Sequence, residues 1–167
     1  MKKALSLLFV LLMVFSLTAC GPDEAKSGKA KAYTIEDMTI THTDSFMHMK
    51  ALAPDFTDCY GATDVTAIFL KETFASLEAT GDEDLDVYAE AVRESNTASD
   101  MTAVLHEDGV TYLEYTAESD GDTFKYFAAV FKGSDAFWLV QFACDVEEYD
   151  GYKSYFISWA KTVEFAE

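Results

Sequence analysis

The stretch Met101–Cys144, MTAVLHEDGVTYLEYTAESDGDTFKYFAAVFKGSDAFWLVQFAC, decides the fold. Its glycines at 109, 121 and 133 stand 12 residues apart, in Asp108-Gly109, Asp120-Gly121 and Gly133-Ser134-Asp135. The segments between and after them, Val110–Ala117, Thr123–Phe131 and Ala136–Cys144, are rich in Val, Tyr, Phe and Trp. Asp-Gly between apolar runs marks a β-hairpin, because both central residues of the favoured two-residue turn need positive φ. With Met101–His106 ahead of the first turn, the spacing predicts a four-stranded antiparallel meander.

Upstream, Tyr33–Ile35 and Met38–Thr41 predict a short hairpin around Glu36-Asp37. Val65–Leu70 (VTAIFL) is apolar on both faces, as a central strand is, and so is Phe137–Ala143 apart from Gln141. A sheet buried on both sides needs a layer on each. Two helices supply it. Asp84–Arg93 places Leu85, Tyr88, Ala89 and Val92 on one stripe. Asp145–Val163 places Tyr149, Tyr152, Phe156, Trp159 and Val163 on one continuous helical face. Asp145 and Glu148 are expected to form its N-terminal capping pair, and Gly151 costs its first turn about 1 kcal/mol relative to alanine. The fold class is α+β: an antiparallel sheet of N-terminal hairpin, central strand and four-stranded meander, flanked by helices.

That order resembles the PsbP-like α/β/α sandwich family, best known from an extrinsic photosystem II subunit and also found in bacterial lipoproteins. The residues carrying the resemblance are Met38-Thr39-Ile40-Thr41 leading to Ser45-Phe46, the Lys71-Glu72-Thr73-Phe74 exit of the central strand, FWLVQF at Phe137–Phe142, and Ala160-Lys161-Thr162-Val163-Glu164-Phe165. They are patterns of burial within residues 33–165. The resemblance implies a non-enzymatic accessory or assembly role at a membrane, with no photosynthetic role carried over. The alternative fold is a cystatin-like α+β roll, against which the second amphipathic helix argues.

The N-terminus is read as an address. Lys2 and Lys3 precede an apolar run from Ala4 to Leu17, broken only by Ser6 and Ser16. At 14 residues it suits a signal-peptide core and falls short of the ~20 needed to span a bilayer. Leu17-Thr18-Ala19-Cys20 resembles the lipobox of bacterial lipoproteins. The resemblance implies cleavage between Ala19 and Cys20 and diacylglyceryl attachment to the Cys20 sulfur, and two or more acyl chains anchor a protein stably. Residues 1–19 are thus expected to be a signal peptide, 20–31 (CGPDEAKSGKAK) a lipidated cysteine and flexible tether, and 32–167 a single globular domain.

The chain carries 12 basic and 30 acidic side chains, a net charge of -18. Loss of residues 1–19 removes two lysines and no acid, so the exported part stands at −20. Such a surface argues against nucleic acid, whose phosphates need clustered Lys and Arg. The 24 aromatic residues argue against a disordered acidic tail.

With Cys20 acylated, Cys59 and Cys144 remain, and two readings stay open: a disulfide, which oxidising compartments permit, or two buried free thiols. No CxxC is present. His42, His48 and His106 lack metal-ligand spacing and are expected on the surface or in loops. The acidic run Gly81-Asp82-Glu83-Asp84-Leu85-Asp86 begins like a calcium loop, but Val87 stands at the glycine position and Arg93 at the glutamate position. It is better read as the cap of the following helix. No nucleophile elbow, SxxK motif or glycine-rich phosphate loop occurs, so no catalytic residue, metal or cofactor is assigned. Tyr112, Tyr115, Tyr126, Trp138, Tyr149 and Trp159 either line a pocket or fill the core, and their periodicity favours core.

The expected function is a lipid-anchored protein on the extracytoplasmic face of the cell membrane, non-catalytic, acting by binding or assembly, with a cationic protein or peptide as partner. The alternative is a small-molecule or cation carrier.

Overall fold

The computed structural model describes residues 24–49, 56–96, 98, 100–119 and 121–166. The lipobox and the residues before it lie outside them. In chain order the elements are β1 (Ala30–Ile35), β2 (Met38–Thr43), β3 (Met47–His48), β4 (Asp58–Gly61), β5 (Thr66–Thr73), α1 (Leu85–Ser95), β6 (Leu105–Glu107), β7 (Val110–Ser119), β8 (Asp122–Lys132), β9 (Ala136–Asp145), α2 (Tyr149–Ala160) and β10 (Glu164–Phe165).

The meander forms as its turns predict. Asp108 and Gly109 take φ of 52° and 82°, both left-handed, and β6 pairs β7 through Leu105↔Tyr112 and Glu107↔Val110. The third turn closes differently, by the Gly133 N–H donating to the Ala136 carbonyl at 2.9 Å. The expected first strand shrinks to Leu105–Glu107. Upstream of it the contact to β7 is only local, with the Thr102 hydroxyl accepting from the Glu114 N–H at 3.0 Å.

The central strand β5 pairs β9 antiparallel from Thr66↔Ala143 to Thr73↔Ala136. The full sheet has seven strands in the order β3-β4-β5-β9-β8-β7-β6. The hairpin β1–β2 forms around Glu36-Asp37, with Glu36 at φ 51°, but it does not join that sheet. It makes a separate three-stranded sheet in the order β1-β2-β10. Strands β3, β4 and β10 are too short to announce themselves by alternation.

The two faces of the large sheet hold two cores. On one, Phe127, Trp138, Val140, Phe142 and Cys144 pack with Tyr149, Tyr152, Phe156 and Trp159 of α2 and with Tyr33, Ile35, Met38 and Ile40 of the hairpin. On the other, Leu113, Tyr115, Ala128, Val130, Phe137 and Leu139 pack with Tyr88, Ala89 and Val92 of α1. The six aromatics singled out in the sequence are core: Tyr112, Tyr115, Trp138, Tyr149 and Trp159 are buried and Tyr126 is half-buried.

The capping expectations divide. Asp84 caps α1, its carboxylate accepting from the Asp86 N–H at 3.1 Å. Asp145 and Glu148 do not cap α2: no side-chain bond is made there, and Asp145 is the last residue of β9, paired with Phe124. The helix begins only at Tyr149 and stops before Val163, where the Thr162 hydroxyl lies 2.6 Å from the Trp159 carbonyl and accepts from the Thr41 N–H at 2.8 Å.

The packed domain also begins earlier than Ala32. Ala25 is fully buried; its N–H donates to Asp64 at 2.8 Å and its carbonyl accepts from the Thr43 hydroxyl at 2.6 Å. Residues 24–31, read as tether, are therefore attached to the body. The bonding partners lie 18 and 39 residues downstream, beyond the reach of a local composition reading.

A candidate ligand pocket on the uncovered sheet face

Seven strands ~4.8 Å apart make a sheet roughly 29 Å wide, and one helix with its side chains is about 10–12 Å across. The helix α1 covers the meander side, so the face of β4 and β5 and the far ends of β7, β8 and β9 are left without a helix. Strand alternation shows this along β5: Ala67 and Phe69 are fully buried toward α2, whereas Thr66 and Ile68 on the opposite face are half-exposed.

A cavity of about 170 Å³ lies on that uncovered face. Its floor is apolar, formed by Cys59 of β4, Ile68 of β5, Phe124 and Tyr126 of β8 and Ala143 of β9. Register places them side by side, through Cys59↔Ile68, Thr66↔Ala143 and Tyr126↔Ala143. Asp64, Asp122 and Asp145 supply carboxylates around it. Ser119, at the end of β7, also lines it; the residue is only 7% exposed, and its hydroxyl has no hydrogen-bond partner among the described residues.

The carboxylates set the local field. Glu148 is raised above the usual carboxylate range, first by burial and then by Asp64 and Asp145. Burial, followed by Asp58, pushes the Cys59 thiol up to about 12. Burial, followed by Glu148, Asp145 and Asp64, pushes the Cys144 thiol up to about 12. Both thiols are protonated at neutral pH, and only the thiolate is an effective nucleophile.

The disulfide reading is corrected here: Cys59 and Cys144 are both free and buried. The histidine reading is corrected in part. His42 is 2% exposed, stacked on Tyr33 with centroids 4.0 Å apart and edge-on to Phe46 at 4.3 Å. Alternation along β2 turns it inward, a signal masked by its polar type. His48 is exposed and bonds Asp58 at 2.6 Å; His106 is exposed at a strand end, 3.4 Å from Asp86. In the acidic run, Glu83 accepts from the Thr80 and Gly81 N–H groups at 3.0 and 2.9 Å, which organises the approach to α1. Among the described residues no three His, Cys, Asp or Glu side chains come together to hold a metal ion. No helix among them is long and apolar enough to cross a membrane.

No protein-family model matches the chain. No curated protein matches it in sequence. Solved structures do. The solution structure of cyanobacterial PsbP (CyanoP) from Synechocystis sp. PCC 6803 superposes with a TM-score of 0.56 at 15% identity, over 90% of this chain and 99% of that one. The fold is PsbP-like. A Pseudomonas aeruginosa protein of unknown function matches more loosely, with a TM-score of 0.48 at 10% identity, over 84% of this chain and 99% of that one. LpqN, involved in cell envelope biogenesis of Mycobacterium tuberculosis, follows with a TM-score of 0.39 at 12% identity, over 86% of this chain and 87% of that one. The PsbP-like arrangement, with a helix on each face of the large sheet, replaces the cystatin-like alternative.

The pocket residues were not singled out by sequence. In the sequence Cys59 stands as half of a candidate disulfide and Asp145 as half of a capping pair, while Ser119 and Asp122 carry no signal of their own. They converge only through pairings among β4, β5, β7, β8 and β9.

Proposed function

We propose that this chain is a lipid-anchored, non-catalytic accessory protein of the extracytoplasmic side of the cell envelope, working by binding. The observation that carries the reading is the pocket itself. Its floor is built on strands, with the 62–65 loop beside it, it is apolar within and acidic around, and its nucleophile-type groups are idle. The Cys59 thiol is held protonated, and the Ser119 hydroxyl has no hydrogen-bond partner among the described residues. The LTAC sequence at Leu17–Cys20 supports the anchor, and the charge of −20 beyond it supports a cationic protein or peptide partner. The likeness to CyanoP supports an accessory role by analogy of fold alone.

The anchor is tested by labelling cells with an alkyne fatty acid. The full chain is expected to carry label and fractionate with membranes, and Cys20→Ala to do neither. An unlabelled, membrane-free wild type would remove the anchor from the reading. Binding by the domain is tested separately, by a photocrosslinking residue at Asp122 in living cells. A discrete adduct is expected there and not from a crosslinker at Glu94, on α1; equal or absent adducts would count against a partner at this face.

The cavity also favours a second reading, a small-molecule carrier.

A further inference from the structure

We propose that Met47, Met49 and Cys59 form a binding site for a soft monovalent metal ion, cuprous copper. This goes beyond the accessory reading and does not depend on the lipid anchor. Pairing of β3 with β4 brings the three sulfurs to one face. Met47 stands opposite Gly61 and His48 opposite Tyr60, and the Met49 N–H donates to the Cys59 carbonyl at 2.9 Å. Alternation turns Met47 and Met49 to one side and His48 to the other, where its ring bonds Asp58 at 2.6 Å. Residues opposite each other on paired strands share a face, so both methionines lie on the side of Cys59, the side that carries the cavity. Their Cβ atoms are then about 4.5–5.5 Å from those directly across, close enough for flexible thioethers to meet a thiol at one ion.

Gly61 makes the room. A Cβ there would run into the Met49 sulfur, which therefore lies over the residue opposite Met47 and two along from Cys59. Burial is graded across the three: Cys59 is 5% exposed, Met49 half-buried and Met47 57% exposed. Ligand type selects the ion, because thiolate and thioether sulfur favour cuprous copper and leave calcium, magnesium and manganese to oxygen. Charge selects its valence. On binding, the Cys59 S–H bond breaks, the proton leaves to solvent, and the sulfur's electron pair forms the bond to the metal. Copper stays cuprous throughout. One thiolate and one monovalent ion sum to zero, and two neutral thioethers add nothing. A divalent ion would leave net positive charge beside Ile68, Phe124 and Ala143, and an uncompensated charge is costly in apolar surroundings.

The full chain carrying Cys20→Ala, so that no thiol there competes, is titrated with cuprous ion under ascorbate against the chromophoric chelator bicinchoninate. One cuprous ion per chain is expected to leave the chelator, and excess Zn²⁺ not to displace it. Cys59→Ala is expected to weaken binding by about a hundredfold and Met47→Leu with Met49→Leu by about tenfold, the range over which metal sites lose affinity when a supporting group is removed. Cys144→Ala, on the other face, is expected to change nothing. The leucine pair conserves volume and keeps the test open if Cys59→Ala fails to fold. X-ray absorption at the copper edge is expected to show sulfur neighbours, fewer of them in the leucine pair. Absence of stoichiometric binding would overturn the site. So would binding that the leucine pair leaves intact, which a single thiol explains, or a loss that follows Cys144 instead of Cys59.

Discussion

Cys59 and Cys144 lie on opposite faces of one sheet. Cys144 packs in the core beneath α2, while Cys59, aligned with Ile68, lines the cavity on the other side. Strand β5 runs between their strands. Two strand spacings are about 9.6 Å, beyond the ~7 Å limit of Cα atoms that a disulfide can bridge. Alkylating the unfolded, unreduced protein is therefore expected to label both thiols. In the native state both should react slowly, since they are buried and hold their protons. Absence of label after unfolding would overturn the arrangement of β4 against β9.

His42 should give the stability curve an acid limb. Burial, with a smaller contribution from Lys31, lowers its pKa from 6.5 to about 4, against the opposing hydrogen bond to the Thr43 carbonyl. The unfolded chain takes up that proton near pH 6.5 and the folded chain only near pH 4. The neutral ring's contribution is full above pH 6.5 and is lost as pH falls from 6.5 through 4, by up to about 3 kcal/mol. Urea unfolding between pH 7 and 4 should show a flatter limb for His42→Phe, which keeps the stack on Tyr33. Equal slopes would mean that His42 titrates alike in both states.

Lys71 ties the small sheet's turn to the large sheet. Its ammonium sits 2.7 Å from Asp37 and 3.3 Å from both Glu36 and Asp135, with the side chain 13% exposed. The bond to Asp37 is the chief reason that its pKa is raised. Lys71→Met leaves three carboxylates facing one another. Because Glu36 and Asp135 are well exposed, the expected loss is about 1–2 kcal/mol, less at high salt. Denaturation midpoints at low and high salt measure it, and a salt-independent loss would point to packing against Trp138 instead.

Asp64 should govern how firmly the N-terminal segment is held. It receives the Ala25 N–H and the Tyr152 hydroxyl. Hydrogen bonds to a charged group contribute about 1.5–3 kcal/mol, so Asp64→Ala should raise native-state trypsin cleavage at Lys26, Lys29 and Lys31 by about tenfold or more. Cleavage within α1 at Arg93 serves as the control. Parallel acceleration there would mean global rather than local opening.

The fold's legibility followed the range of the forces involved. The Asp108-Gly109 turn, the β7–β9 runs and the α1 stripe are set by neighbours within a dozen residues, and they formed where periodicity placed them. The capping pair at Asp145 and Glu148 failed because pairing with Phe124 kept Asp145 in β9. His42 goes inward, against the expectation from its polar type, because it occupies a core-facing position of β2 between Ile40 and the strand end.

By itself the sequence determined the meander, the hairpin, both helices and the acidic charge, because turn chemistry and side-chain period act locally. Only the tertiary structure decided that the hairpin stands in its own sheet, that Ala25 is core, and that the two cysteines face apart. It also decided where the pocket lies, because one short helix cannot cover a seven-stranded face and the uncovered part is assembled from Ile68, Ser119, Phe124 and Ala143. Residues that far apart in the chain become neighbours only through strand register, which no local pattern specifies.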